Sequence, residues 1–229
     1  MSTDERVLLS GTEPSTGGSR RAIRLAAAEA IAYARAVAPL VPAIERRLDP
    51  DVYANRAVGR GSRAWTRLEP WRPARLGFDR AVCRLSGLGD VTLVDVRRCY
   101  ASIDPAVVEG SLHDLGRNEV AGVLRVLGRL ERRGIRGLPI GPHPSAILAN
   151  AVLGGMDRAI RRAGARHVRW VDDVAIAAPT EAASARAIEA ARDALAAIGL
   201  VLHDEKSRVL AAESLRRIAS ASERSHGRR

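Results

Sequence analysis

Three carboxylates and one lysine stand out by type and position. Asp95 lies near the end of the β-branched run Val91-Thr92-Leu93-Val94-Asp95-Val96, and the pair Asp172-Asp173 separates two short β-like runs, His167 to Val171 and Val174 to Ile176. A lone Asp at a strand end or turn is usually structural, because its side chain bonds local backbone. Three of them are another matter if the Asp pair sits in a tight hairpin beside the Asp95 strand, since one sheet edge then carries all three. Such a cluster repels itself unless cations sit in it. Oxygen-only ligation suits Mg²⁺, which takes one or two carboxylates together with water and substrate phosphates. Two ions about 4 Å apart would clamp the attacking and leaving oxygens of an in-line phosphoryl displacement. Lys206 is the only lysine in an arginine-biased chain, which sets it apart from a generic surface cation.

The elements that must position these groups follow from pattern. Met1 to Ser19 reads as a flexible tail, and Arg20 to Ala38 as an alanine-rich helix ending near Pro39 and Pro42. Asp49 to Leu76 is punctuated by Pro50, Gly59, Gly61, Pro70 and Pro73 and carries Trp65 and Trp71, which suits a loop-rich basic surface with half-buried tryptophans. Asp104-Pro105 supplies an N-cap and first-turn proline for a helix to Leu115, and Asn118 caps another to Arg132. After the Gly134 to Pro144 loop, Ile147, Leu148, Val152, Leu153, Met156 and Ile160 recur at helical spacing over Ser145 to Ala163. The hairpin follows. Thr180 caps a helix to Ala197, Gly199 ends it, and Leu200 to Leu202 and Lys206 to Leu210 read as strands. Strand, helices, hairpin, helix and strands in that order predict an α+β fold with a mostly antiparallel sheet.

The same residues carry a resemblance. Val94-Asp95-Val96-Arg97-Arg98-Cys99-Tyr100-Ala101-Ser102-Ile103-Asp104 resembles the first catalytic palm motif of reverse transcriptases, an Asp followed five residues later by an aromatic. Gly137-Leu138-Pro139-Ile140-Gly141, leading through Ser145 to Asn150 and on to Asp157, resembles the second motif. Trp170-Val171-Asp172-Asp173 resembles the third, and Gly199-Leu200 with Lys206 is similar to the fourth. The four stand in family order over roughly residues 90 to 210, closest in flavour to the bacterial intron, retron and phage-defence group. Ile140 stands where the family often has Gln, and Trp170 where Tyr is usual.

The resemblance implies a polymerase palm with short fingers and no evident thumb, copying RNA into DNA from dNTPs on an RNA template with a DNA or RNA primer, or adding deoxynucleotides without a template. It implies that Asp95 and Asp172 hold two Mg²⁺ ions, with Mn²⁺ as a substitute, and that Asp173 completes the cluster or supports the hairpin. Tyr100 would be a steric gate against a ribose 2′-hydroxyl. Gly137, Pro139 and Gly141 would let backbone approach the nucleotide and template. Lys206 would meet the triphosphate and protonate the leaving pyrophosphate. Arg56, in Val52-Tyr53-Ala54-Asn55-Arg56, resembles a finger motif and is a further candidate for triphosphate or template contact. A protein partner supplying a thumb-like grip, and a role in antiviral defence, are expectations of the same kind.

Composition agrees with this class. At 229 residues the chain supports one domain with a sizeable core, and 46% hydrophobic and 28% charged residues exclude a wholly disordered chain. The division expected is a tail over 1–19, an N-terminal helix and fingers-like region over 20–89, the palm over 90–212 and a basic tail over 213–229. A net charge of +11 creates a field that attracts polyanions, nucleic acid first among them. Cys83 and Cys99 lack metal-ligand spacing and read as reduced core residues, and no secretory leader or membrane span is expected, so the expected location is cytoplasmic. Two other readings remain open at this level: a non-catalytic nucleic-acid-binding palm acting within a complex, and, more distantly, a palm-fold nucleotide cyclase.

Overall fold

The computed structural model describes residues 23–58 and 68–226. The expected tail over 1–19, Trp65 and the last residues of the basic end lie outside them. Four strands form one sheet in the order β2-β3-β1-β4: β1 is Val91–Asp95, β2 Arg166–Trp170, β3 Asp173–Ala177 and β4 Arg208–Leu210. All neighbours are antiparallel, and β1 pairs β3 in the register Thr92–Ile176 through Asp95–Asp173.

Both faces of this sheet are covered. Val94, Val174 and Ile176 pack with Leu148, Val152, Ala187, Ala191 and Leu195, which come from the helices His143–Arg162 and Glu181–Ala196. On the other face Val91, Val168, Ala175 and Ala177 meet Phe78, Ala81, Val82 and Leu85 of the helix Trp71–Leu85, and Leu215 of the helix Ala212–His226. Burial on two sides explains why Val174 to Ala177 is an unbroken apolar run rather than an alternating one. The α+β class and antiparallel sheet predicted from pattern are what the structure has.

Several expected elements differ, each for a local reason. Pro39 and Pro42 do not stop the N-terminal helix: Ala27–Val37 runs into a 3₁₀ turn, Ala38–Leu40, and a further helix, Val41–Arg47. Each proline occupies a first-turn position, where its missing N–H costs nothing. The combined stretch Ala27–Arg47 is long and apolar enough to cross a membrane by length and composition alone. Here it buries Tyr33, Val37, Leu40, Val41 and Ile44 in the core. Trp71 to Leu76, expected as loop, opens a helix, again with Pro70 as N-cap and Pro73 in the first turn. Leu200 to Leu202 contributes only an isolated bridge between Val96 and Leu202, and Asp204–Lys206 is a 3₁₀ turn preceding β4. The expected basic tail is helical through His226, because Leu215 has a hydrophobic layer to enter.

Candidate active site

The β2–β3 hairpin is closed by a two-residue turn, Val171-Asp172, between the paired residues Trp170 and Asp173. Val171 has φ of 55°, a left-handed conformation that a β-branched residue adopts only under constraint. Because Asp173 is in register with Asp95, the two carboxylates leave the same face of the sheet at adjoining positions. The Asp172 carbonyl accepts from Val96 N at 3.0 Å, tying the turn directly to the residue after Asp95. Asp95 and Asp172 are largely buried, whereas Asp173 keeps an exposed surface. The structure thus brings the three predicted acids to one sheet edge.

Their electrostatics show the strain of that placement. Desolvation by the surrounding protein, then the Asp172 and Asp95 carboxylates, push Asp173 up to about 6, against the pull of Arg75 and Lys206. Lys206 Nζ lies 3.3 Å from Asp95 Oδ2, an ammonium seated on the carboxylate where a metal cation would be needed. Among the described residues no three His, Cys, Asp or Glu side chains are gathered closely enough to hold a metal as they stand. In chemistry, however, the donor set fits Mg²⁺: oxygen-only, self-repelling, and already drawing a cation.

The remaining predicted residues fall into place around this edge or away from it. Asp95 is followed by a helical turn, Cys99–Ser102, that carries Tyr100, a partly buried ring packed against the main core. Leu138 N donates to the Tyr100 carbonyl at 2.8 Å, so the Gly137 to Gly141 loop is laced to that turn. Gly137 itself has φ of +67°, and a Cβ there would lie 2.4 Å from the Tyr100 carbonyl oxygen and 2.7 Å from that of Ala101. The close approach this glycine permits is to the Tyr100 backbone. Pro139 is buried beside Leu138, and Gly141, at φ of +115°, is exposed. Arg56 is committed locally: it donates to Glu45 Oε2 at 2.8 Å and to the Asp49 and Val52 carbonyls at 3.2 and 3.0 Å.

Pattern reading missed a buried polar network behind the hairpin. Arg169, with no exposed surface, forks onto Asp157, which also has His167 Nε2 at 3.2 Å, and bonds the Asn150 side chain. The signal was there as two polar residues, Asn150 and Asp157, on one stripe of an apolar helix, facing His167 and Arg169 at alternate positions of β2. Burial works against a charged Asp157, but the Arg169 charge, the nearby His167 ring and the bonds from Arg169 outweigh it and hold the carboxyl at about 2. An unfolded Asp titrates near ~3.9. Its folded value is depressed, so its contribution to stability is complete above the unfolded value and is lost as pH falls from about 4 towards 2. Urea unfolding across this range is expected to show the decline. Asp157→Asn, which leaves Arg169 buried without its charge partner, should cost roughly 3–5 kcal/mol at neutral pH and lose less on acidification.

Trp71 is exposed on the helix that starts beside Trp170, the rings meeting edge-on at 6.1 Å, and the Arg75 guanidinium lies 5.4 Å from the Trp170 ring centre. An antiparallel sheet backed by helices, with acids at the end of its central strand and in the neighbouring hairpin turn, is the palm-like α+β arrangement of nucleotide polymerases. The family of reverse transcriptases (RNA-dependent DNA polymerases) matches residues 31–221, and the chain belongs to it. Comparison with curated proteins found no match. Membership supports a nucleotidyltransferase of reverse-transcriptase type, a class that works in general on nucleic-acid template, primer and nucleotides.

Proposed function

We propose that this chain is an RNA-directed DNA polymerase that adds deoxynucleotides at the Asp95–Asp172–Asp173 edge. The observation that carries the reading is the Asp95–Asp173 register, with Asp172 in the adjoining turn bonded through its carbonyl to Val96. Asp95 and Asp172 would hold two Mg²⁺ ions, and Asp173 would complete the set. Bound there, the metal would polarise the phosphoryl oxygens and lower the pKa of the attacking hydroxyl.

The chain's own residues do the rest. The β1–β3 ladder fixes the carboxylates before substrate arrives, so no ordering of the acids is needed at the moment of transfer. Lys206, whose Nζ lies 3.3 Å from Asp95 Oδ2, would meet the triphosphate and give a proton to departing pyrophosphate. Tyr100, held by the Gly137 loop through its own carbonyl, presents its ring as the gate against a 2′-hydroxyl. Trp71, exposed beside Trp170, offers a base-stacking face, with Arg72 exposed next to it in sequence as a phosphate partner.

Asp172→Asn should abolish Mg²⁺-dependent dNTP incorporation while leaving RNA binding intact or tighter, because a negative charge is removed from a polyanion site. Unchanged incorporation would remove Asp172 from the metal set. In the same assay Tyr100→Ala should admit ribonucleotides, and an unaltered dNTP preference would sink the gate assignment.

A further inference from the structure

The Val171-Asp172 turn has a conformation its own sequence does not favour, so something must hold it. We propose that Arg169 is the positioning residue of the acidic turn: locked by Asp157 and Asn150, its guanidinium grips the Val171 carbonyl and fixes the backbone that aims Asp172 and Asp173. The purpose of the turn rests on the polymerase reading above; the clamp itself does not.

Every end of Arg169 is pinned. Nε donates to Asp157 Oδ1 at 2.8 Å, and Nη2 to Asp157 Oδ2 at 2.8 Å. Nη1 donates to Asn150 Oδ1 at 3.0 Å and to the Val171 carbonyl at 3.1 Å. Asn150 is anchored in turn, its amide donating to the Ala54 carbonyl at 2.9 Å. The Arg169 backbone is bonded outward as well, its N–H to the Asp51 carbonyl and its carbonyl to the Tyr53 N–H, both at 2.9 Å. A side chain so held transmits rigidity to the one neighbour that needs it, Val171 at φ of 55°. The chain of contacts then continues from Asp172 O to Val96 N, beside Asp95. A plain buried ion pair would need only Asp157; the planar fork is what reaches Asp157, Asn150 and Val171 together, which a lysine cannot do.

Hydrogen–deuterium exchange of the whole protein, without substrate, separates the two roles. In Arg169→Lys, which keeps a charge for Asp157, the Val96 and Asp173 amides should exchange about tenfold faster, as expected for loss of a charge-assisted bond behind them. Amides in the middle of the His143–Arg162 helix should keep their rates. Val171→Gly, which removes the left-handed penalty, should then raise the melting temperature more in the Arg169→Lys background than in the wild type. If Arg169→Lys does not fold, Asn150→Ala, which retains the Arg169–Asp157 pair, is read at the same amides. Uniform acceleration throughout the protein, unchanged Val96 and Asp173 amides in the variant that folds, or an equal Val171→Gly effect in both backgrounds would overturn the clamp. None of these readouts depends on polymerase activity, so failure of that reading would appear separately as absent incorporation with the clamp intact.

Discussion

Gly137→Ala is expected to destabilise the protein more than any other single-methyl addition in the loops around the site. Two penalties add. The backbone at φ of +67° disfavours any L side chain, and the new Cβ would sit 2.4 Å from the Tyr100 carbonyl oxygen and 2.8 Å from the Ala101 carbonyl carbon. These obstacles are backbone atoms in a turn fixed by Leu138 N, not side-chain ends that can rotate away. A left-handed Ala costs about 1–2 kcal/mol, and overpacking against atoms that cannot yield adds about 1–3 kcal/mol. For a protein of this size a sum near 3 kcal/mol corresponds to a fall of roughly 6–12 °C in melting temperature. Gly134→Ala is the internal control, since Gly134 has φ of +84° with nothing within 4 Å of its new Cβ. It pays the backbone penalty alone. Differential scanning fluorimetry of the two variants should show Gly137→Ala falling by about twice as much or more; equal shifts would mean that the Tyr100 turn gives way freely.

Asp95→Asn should do the opposite, sparing the fold and removing the chemistry. Its ion pair with Lys206, at 3.3 Å, joins it to a side chain that is 39% exposed, and a pair with one such solvated member contributes at most about 1 kcal/mol. The β1–β3 ladder does not depend on the charge. A carboxylate that holds a catalytic cation is worth several kcal/mol at the transition state, so incorporation is expected to fall on the order of a thousandfold. Lys206→Met should lower incorporation less, because Asp95 remains available to a metal. A steady-state comparison with circular dichroism on the same samples checks both statements. Loss of fold in Asp95→Asn would show that the carboxylate is structural, and full activity would remove it from the site.

These predictions rest on features that were unequally visible in the linear chain. Asp95, Asp172 and Asp173 were legible because each interrupts or ends an apolar run, and an acid in such a place is conspicuous. That the hairpin lies beside the Asp95 strand was expected from the pattern, but the register that sets Asp95 opposite Asp173 was not, because a hairpin turn fixes only its own two strands. The helix Trp71–Leu85 was hidden by Pro70 and Pro73, which read as breakers although they occupy its cap and first turn. The Arg169 clamp was illegible because an arginine in a basic chain looks like a surface residue until the fold buries it completely. The Gly137 loop shows the same limit in another form: its glycine was singled out only through the family motif, and only the tertiary contact shows that the neighbouring backbone is that of Tyr100. Lys206 likewise stood out as the sole lysine, while its pairing with Asp95 depends on the 3₁₀ turn that precedes β4.

The central claim, that the acidic edge performs metal-dependent addition of deoxynucleotides, is tested most directly by extending a labelled primer on an RNA template with the full chain. Mg²⁺ with dNTPs is compared with rNTPs and with chelated metal, and wild type with Asp172→Asn. The account predicts extension with dNTPs and Mg²⁺ only, lost on chelation and in the variant. Extension that persists in Asp172→Asn or under chelation, or no extension by a folded, RNA-binding wild type with either Mg²⁺ or Mn²⁺, would contradict it.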